Sequence, residues 1–224
     1  MNRSTRTRSE IQPDRRRPSE VARHVVLPAD IRTTGWPRVE AQARACGIEY
    51  DGWQRQLGRC ILGKTSDGVY AAGIGGVVVS ICRQVGKTFL IGTMIVMLCI
   101  LNEYPLKVLW TAHRTRTSDE TFKFMCALVR RKAISRFVDG EPRRANGQQE
   151  IVFVNSSRIM FGARENGFGR GFDSVDVEVF DEAQILTERA LDDMIPATNA
   201  APNPLIIYMG TCLLYTSPSP RDCS

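Results

Sequence analysis

The chain has 224 residues, 43% of them hydrophobic, and a formal net charge of +6. That length and apolar content bury one sizeable core, so one α/β domain with appendages is the natural count, and the positive balance favours a polyanionic partner, nucleic acid first. The sequence shows no secretory signal, and its strongest apolar run, Phe89 to Leu101, falls short of the ~20 residues a bilayer requires. Seven cysteines lie scattered with no C-x-x-C pair, and His24 and His113 are the only histidines. These counts argue against a zinc site and for reduced thiols in a cytoplasmic protein.

Met1 to about Pro37 is polar and carries Arg3, Arg6, Arg8, Arg15, Arg16, Arg17 and Arg23, with no helical or strand period before Val25-Val26-Leu27. It reads as a disordered, solvated arm in preference to a dedicated DNA-binding arm. Val39 to Gly63 has a helical pattern, with a helix start at Asp51-Gly52-Trp53-Gln54-Arg55. Tyr70 to Val79 passes through Gly73-Ile74-Gly75-Gly76, a bend leading into the first core strand. Those glycines precede the strand, the wrong order for a dinucleotide fingerprint.

The strand Val77-Val78-Val79-Ser80-Ile81 then empties into Cys82-Arg83-Gln84-Val85-Gly86-Lys87-Thr88 and an apolar helix. A strand, a tight loop and a helix N-terminus are the parts that grip a nucleotide phosphate. Backbone N–H groups surround the β-phosphate, Lys87 adds a movable positive charge, and the Thr88 hydroxyl can ligate Mg²⁺. The usual pattern is G-x-x-x-x-G-K-[ST]; here Ile81 takes the first glycine position, and Arg83 and Gln84 sit inside the loop.

A second strand follows at Val108-Leu109-Trp110-Thr111. Thr117 to Glu120 has the Thr-x-x-Glu form of a capping box and predicts a helix opening there and running to about Lys132. Glu150 to Asn155 and Arg158 to Ala163 read as two strands about an Asn155-Ser156-Ser157 turn. The glycine-rich stretch from Arg164 to Phe172, which includes Arg170, reads equally as a flexible connector or as a loop that senses nucleotide or DNA. Val175, Val177 and Val179 then have strand spacing, and Asp181-Glu182 follows at the strand's end. In a Walker B role Asp181 would hold Mg²⁺ and Glu182 would orient and deprotonate the attacking water. A helix across Leu186 to Met194, an Asn203-Pro204 turn and a strand from Leu205 to Met209 complete the series. The three acids Glu188, Asp192 and Asp193 suit capping and solubilising that helix. Strands alternating with helices predict an α/β fold, a P-loop NTPase with a mostly parallel sheet flanked by helices. Ligand then binds beyond the strands' carboxyl ends, where Gly86, Asp181 and Thr211 fall.

Cys82-Arg83-Gln84-Val85-Gly86-Lys87-Thr88 resembles the deviant Walker A of the large terminase subunit of tailed bacteriophages, the motor that pumps genomic DNA into a preformed capsid. Trp53-Gln54 is similar to that family's adenine-side motif, and Thr111-Ala112 with the polar run to Glu120 to the segment after its second strand. Arg170-Gly171 ahead of Phe180-Asp181-Glu182-Ala183 resembles its approach to Walker B, and Met209-Gly210-Thr211 its coupling motif. The resemblance covers roughly Glu49 to Thr211. It implies ATP with its base near Trp53 and Gln54, its phosphates on Gln84, Val85, Gly86, Lys87 and Thr88, and Mg²⁺ between Thr88 and Asp181. Glu182 is the implied base, Arg83 the implied charge at the γ-phosphate, and Gly210-Thr211 the implied coupler. The implied partners are double-stranded DNA, a small terminase subunit, a portal protein and further copies of the chain in a ring, in the cytoplasm of an infected bacterium and away from any membrane.

The expected division is a basic arm over 1–37, a P-loop ATPase domain over 38–211 and a Ser/Pro-rich tail over 212–224. The tail, Cys212 to Ser224, departs from the family and resembles translated adapter or read-through sequence. On this expectation the family's ribonuclease H-like nuclease domain is absent from these 224 residues, and no nuclease activity is expected of them. Two rival readings remain: a helicase-type ATPase, because Asp181-Glu182-Ala183-Gln184 also resembles a DExx box, and a nucleotide-binding fragment without turnover.

Overall fold

The computed structural model describes residues 22, 24–82, 84–145, 148–169 and 171–211. Most of the basic arm, Arg83, Arg170 and the tail over 212–224 lie outside the described residues. In chain order the elements are β1 (Thr33–Thr34), α1 (Trp36–Ala45), α2 (Gly52–Ile61), β2 (Gly63–Lys64), β3 (Val77–Ile81), α3 (Lys87–Leu101) and β4 (Lys107–Ala112). They continue with α4 (Thr115–Val129), α5 (Lys132–Ser135), β5 (Arg143–Ala145), β6 (Gln148–Val152), β7 (Arg158–Ala163), β8 (Val177–Phe180), α6 (Glu188–Met194) and β9 (Leu205–Thr211). β1 and β2 form a small antiparallel pair.

The other seven strands make one sheet in the order β3-β9-β8-β4-β7-β6-β5. Neighbours from β3 to β7 run parallel, and β6 and β5 add on as an antiparallel edge. The sheet is the mostly parallel one expected. Strand β5 was not anticipated, because Arg143, Arg144 and Ala145 are all exposed and leave no apolar period to read.

Side chains alternate across the sheet and sort into two cores. On one face Val108, Trp110, Val177, Val179, Leu205, Ile207 and Met209 pack with buried residues of α1, α3 and α4. Helix α3 is apolar on every side and accordingly buried, from Leu90 to Met97 and again at Cys99. On the other face Leu109, Phe180 and Ile206 pack with Met194 of α6 and Ala197. Covering on both faces explains why β9 begins as a continuous apolar run.

Helix α4 departs from expectation at its start. It opens at Thr115, so Thr117 and Glu120 lie inside it and make no cap. Glu165, remote in sequence, accepts from both the N–H and the hydroxyl of Thr115, each at 2.8 Å. A carboxylate on a helix N-terminus satisfies free amides and meets the positive end of the dipole. Those hydrogen bonds hold the Glu165 carboxyl below its ordinary pKa.

Candidate functional site

Strands β3, β9 and β8 are parallel neighbours, so their carboxyl ends meet at one end of the sheet. The chain leaving β3 turns through two left-handed residues, Gln84 at φ 60° and Gly86 at φ 95°, before α3 begins at Lys87. Turns that carry left-handed residues are the kind in which successive backbone N–H groups form anion-binding concavities. A left-handed non-glycine residue costs about 1 kcal/mol or more. At Gly86 a Cβ would also lie 2.9 Å from Gln54 Nε2, so a side chain there would displace the Gln54 amide that braces the loop.

Gln54 braces this loop. Its Oε1 accepts from the Asp51 N–H at 3.0 Å at the start of α2, and its Nε2 donates to the Gly86 carbonyl at 3.3 Å. The side chain is 4% exposed. Trp53, one residue earlier, is half-buried and packs against the larger core. Gln54 thus lies beside the loop between β3 and α3, and its amide is engaged with protein at both ends.

The carboxylate pair lies at the end of β8. The Glu182 N–H donates to Asp181 Oδ1 at 2.9 Å, Glu182 is itself left-handed at φ 55°, ψ 44°, and its Oε2 is buried without a hydrogen-bond partner. An unsatisfied buried carboxylate oxygen fits the holding of a water. Burial raises the Asp181 pKa from its ordinary value, and the nearby Glu182 charge adds to that; the Glu182 N–H, Lys87 and Arg164 oppose it.

Lys87 Nζ donates to the Gly210 carbonyl at 2.5 Å, and the Thr211 N–H donates to Gln184 Oε1 at 3.1 Å. These two bonds tie Gly210 and Thr211 at the end of β9 to the lysine on one side and to the segment after Glu182 on the other. Among the described residues no group of three or more His, Cys, Asp or Glu side chains is placed to hold a metal ion. A magnesium site built from Thr88, Asp181, waters and phosphate oxygens needs no such group, because Mg²⁺ bound with a nucleotide takes only one or two protein ligands.

Two functional neighbours escaped the sequence. Arg164 opens the glycine-rich stretch, and its guanidinium reaches across β4 to the end of β8, where it lies 5.9 Å over the Phe180 ring. Glu178, the polar member of Val177-Glu178-Val179, reads as a solvent-facing position in an alternating strand. In the folded chain it is 0% exposed because α6 and its flanking turns cover that face.

Both Glu178 carboxylate oxygens are buried with no hydrogen-bond partner. Burial pushes its pKa from 4.5 to about 7, with the Arg164 charge acting in the opposite direction. The folded chain therefore keeps a proton that the unfolded chain releases, and stability falls as pH rises from about 4.5 to about 7. Glu178→Gln is expected to remove that fall. In urea unfolding the variant should be more stable than the unmutated chain by about 3 kcal/mol above pH 7, with the difference shrinking toward pH 4. A pH-independent difference would show that another group titrates.

A lysine-bearing loop between strand and helix, with a carboxylate pair at the end of a nearby parallel strand, defines a P-loop NTPase fold. Solved structures narrow the comparison: the chain has the fold of the ATPase domain of phage large terminases. The HK97 bacteriophage large terminase superposes with a TM-score of 0.64 at 18% identity, over 79% of this chain and 38% of that one. The large terminase ATPase domain of Thermus phage P74-26 gives 0.57 at 12% identity, over 83% of this chain and 70% of that one. The region shared with the HK97 protein is thus well under half of that protein's length. No protein-family model and no curated protein matches the sequence. Among the described residues no helix is long and apolar enough to cross a membrane.

Proposed function

We propose that this chain is the ATPase motor part of a phage DNA-packaging terminase large subunit, hydrolysing ATP to move double-stranded DNA into a capsid. The observation that carries the proposal is the run of contacts at the strand ends. Lys87 of the phosphate loop holds Gly210, Thr211 holds Gln184, and Asp181-Glu182 stand between. The Lys87–Gly210 bond gives the phosphate-binding lysine a direct link to the strand that would report hydrolysis.

In this reading the amides of Gln84 to Thr88 take the phosphates, and Trp53 lies on the base side. Gln54 fixes the loop through Gly86. Thr88 and Asp181 are the residues that would hold Mg²⁺, which when bound with ATP draws charge from the phosphate oxygens. Glu182 accepts the proton of the attacking water. Arg83, which lies outside the described residues, is the proposed charge for the γ-phosphate. The proposed division is a basic arm, an ATPase domain to 211 and a non-family tail over 212–224, with the arm ending before β1 at Thr33 and not at 37, because Trp36 of α1 is fully buried. The small terminase subunit, a portal protein and further copies in a ring are the proposed partners, in the host cytoplasm.

MgATP binding and phosphate release should be measured separately, with and without duplex DNA. Binding with turnover that rises on adding duplex supports the motor. Binding without turnover under any condition would reduce the chain to a nucleotide-binding fragment. ATP-driven separation of a forked duplex would make it a helicase.

A further inference from the structure

We propose that Arg164 is a positioning residue for hydrolysis: it sets the plane of the Asp181–Glu182 peptide and so aims the Glu182 carboxylate. The inference rests on the ATP-hydrolysing reading above and adds a residue that reading does not use.

The geometry is specific. One guanidinium nitrogen of Arg164 donates to the Thr111 carbonyl at 3.0 Å and to the Thr111 hydroxyl at 3.1 Å, and the other terminal nitrogen donates to the Asp181 carbonyl at 2.8 Å. Thr111 is near the end of β4, which lies between β7 and β8 in the sheet. Arg164, immediately after β7, therefore spans three strands and fastens their carboxyl ends together. The Asp181 N–H donates to the same Thr111 carbonyl at 2.7 Å.

The Asp181 carbonyl belongs to the peptide unit that links Asp181 to Glu182. Arg164 holds the oxygen of that unit, and Asp181 Oδ1 holds its N–H at 2.9 Å. With both ends of the plane fixed, Glu182 is kept in the left-handed conformation that a glutamate left free would leave. Small rotations of a peptide unit swing the side chain that follows it, and a misplacement of about 1 Å at a reacting group can cost about 10²-fold in rate. The planar fork suits this work in a way an ammonium does not, because two acceptors in different strands must be met at once. Burial lowers the Arg164 pKa, and the charges of Asp181, Glu182 and Glu178 restore part of it, so a cation is maintained in a half-buried place.

A residue acting only through Glu182 leaves a distinct kinetic trace. In Arg164→Met and in Arg164→Lys, kcat should fall 10- to 100-fold, while KM and the MgATP dissociation constant stay within about threefold of the unmutated chain. Arg164→Met placed in a Glu182→Gln background should add less than about twofold, since the side chain it positions no longer acts as a base. Direct phosphate contact by Arg164 would instead raise KM and the dissociation constant, and that result overturns the proposal. So would unchanged kcat, or a full independent loss in the double variant. Should Arg164→Met fail to fold, Arg164→Lys keeps the charge and the stem and decides the matter through the same kcat against KM comparison. No turnover by the unmutated chain overturns the ATPase reading and this inference together; turnover with indifferent Arg164 variants overturns this inference alone.

Discussion

Lys87→Ala is expected to lower ATP affinity by roughly 10- to 10⁴-fold in a calorimetric titration. The ammonium has two structural ties to lose. It donates to the Gly210 carbonyl at 2.5 Å, and it is one of the positive charges that ease the burial of Asp181. Its removal takes from the loop the one basic side chain described there, where three or more phosphate oxygens would gather. Charge-assisted hydrogen bonds are worth about 1.5–3 kcal/mol each, so losing one or two translates to roughly 10- to 10⁴-fold in affinity. The fold should survive, because Lys87 stands at the first turn of α3 and the buried stretch begins only at Leu90. Undiminished ATP affinity in a folded Lys87→Ala variant would remove the phosphate-loop reading altogether.

Glu182→Gln should show the opposite division. MgATP binding is retained and hydrolysis slows by roughly 10²-fold or more, the size expected when a general base is lost. The amide is nearly isosteric and keeps the left-handed backbone, the Asp181 hydrogen bond and the shape of the buried end of the side chain. What it cannot do is accept a proton. A single-turnover measurement of phosphate release, paired with a binding titration, separates the two effects. Hydrolysis near the unmutated rate would place the base on another residue.

The placement of the loop after β3 and of the carboxylate pair at the end of β8 was legible because each is a contiguous run: Gly86-Lys87-Thr88 behind a β-branched strand, Asp181-Glu182 behind Val175, Val177 and Val179. The parallel sheet was legible from the alternation of strand and helix. What escaped was set by distant partners. The start of α4 depends on Glu165, about fifty residues away in the chain, which overrode a local capping pattern. Gln54 could be matched to a motif but its double bond to Asp51 and Gly86 could not be read from spacing. Glu178 follows a two-residue alternation that means solvent on a one-sided sheet and burial on a two-sided one. Arg164 acquires its meaning only when β4 and β8 lie side by side.

Strand β9 is made after every other strand described, yet it is inserted between β3 and β8, with Val77 beside Ile207 and Phe180 beside Tyr208. On a ribosome, then, the lysine loop and the carboxylate pair emerge early and late respectively and have no common strand to join them until β9 docks. Closing that gap brings together residues far apart in the chain, a step that is entropically costly and slow. Until β9 docks, the strand carrying the lysine loop and the strand carrying the carboxylate pair have no neighbour in common, so the two ends are brought into register by one pairing event.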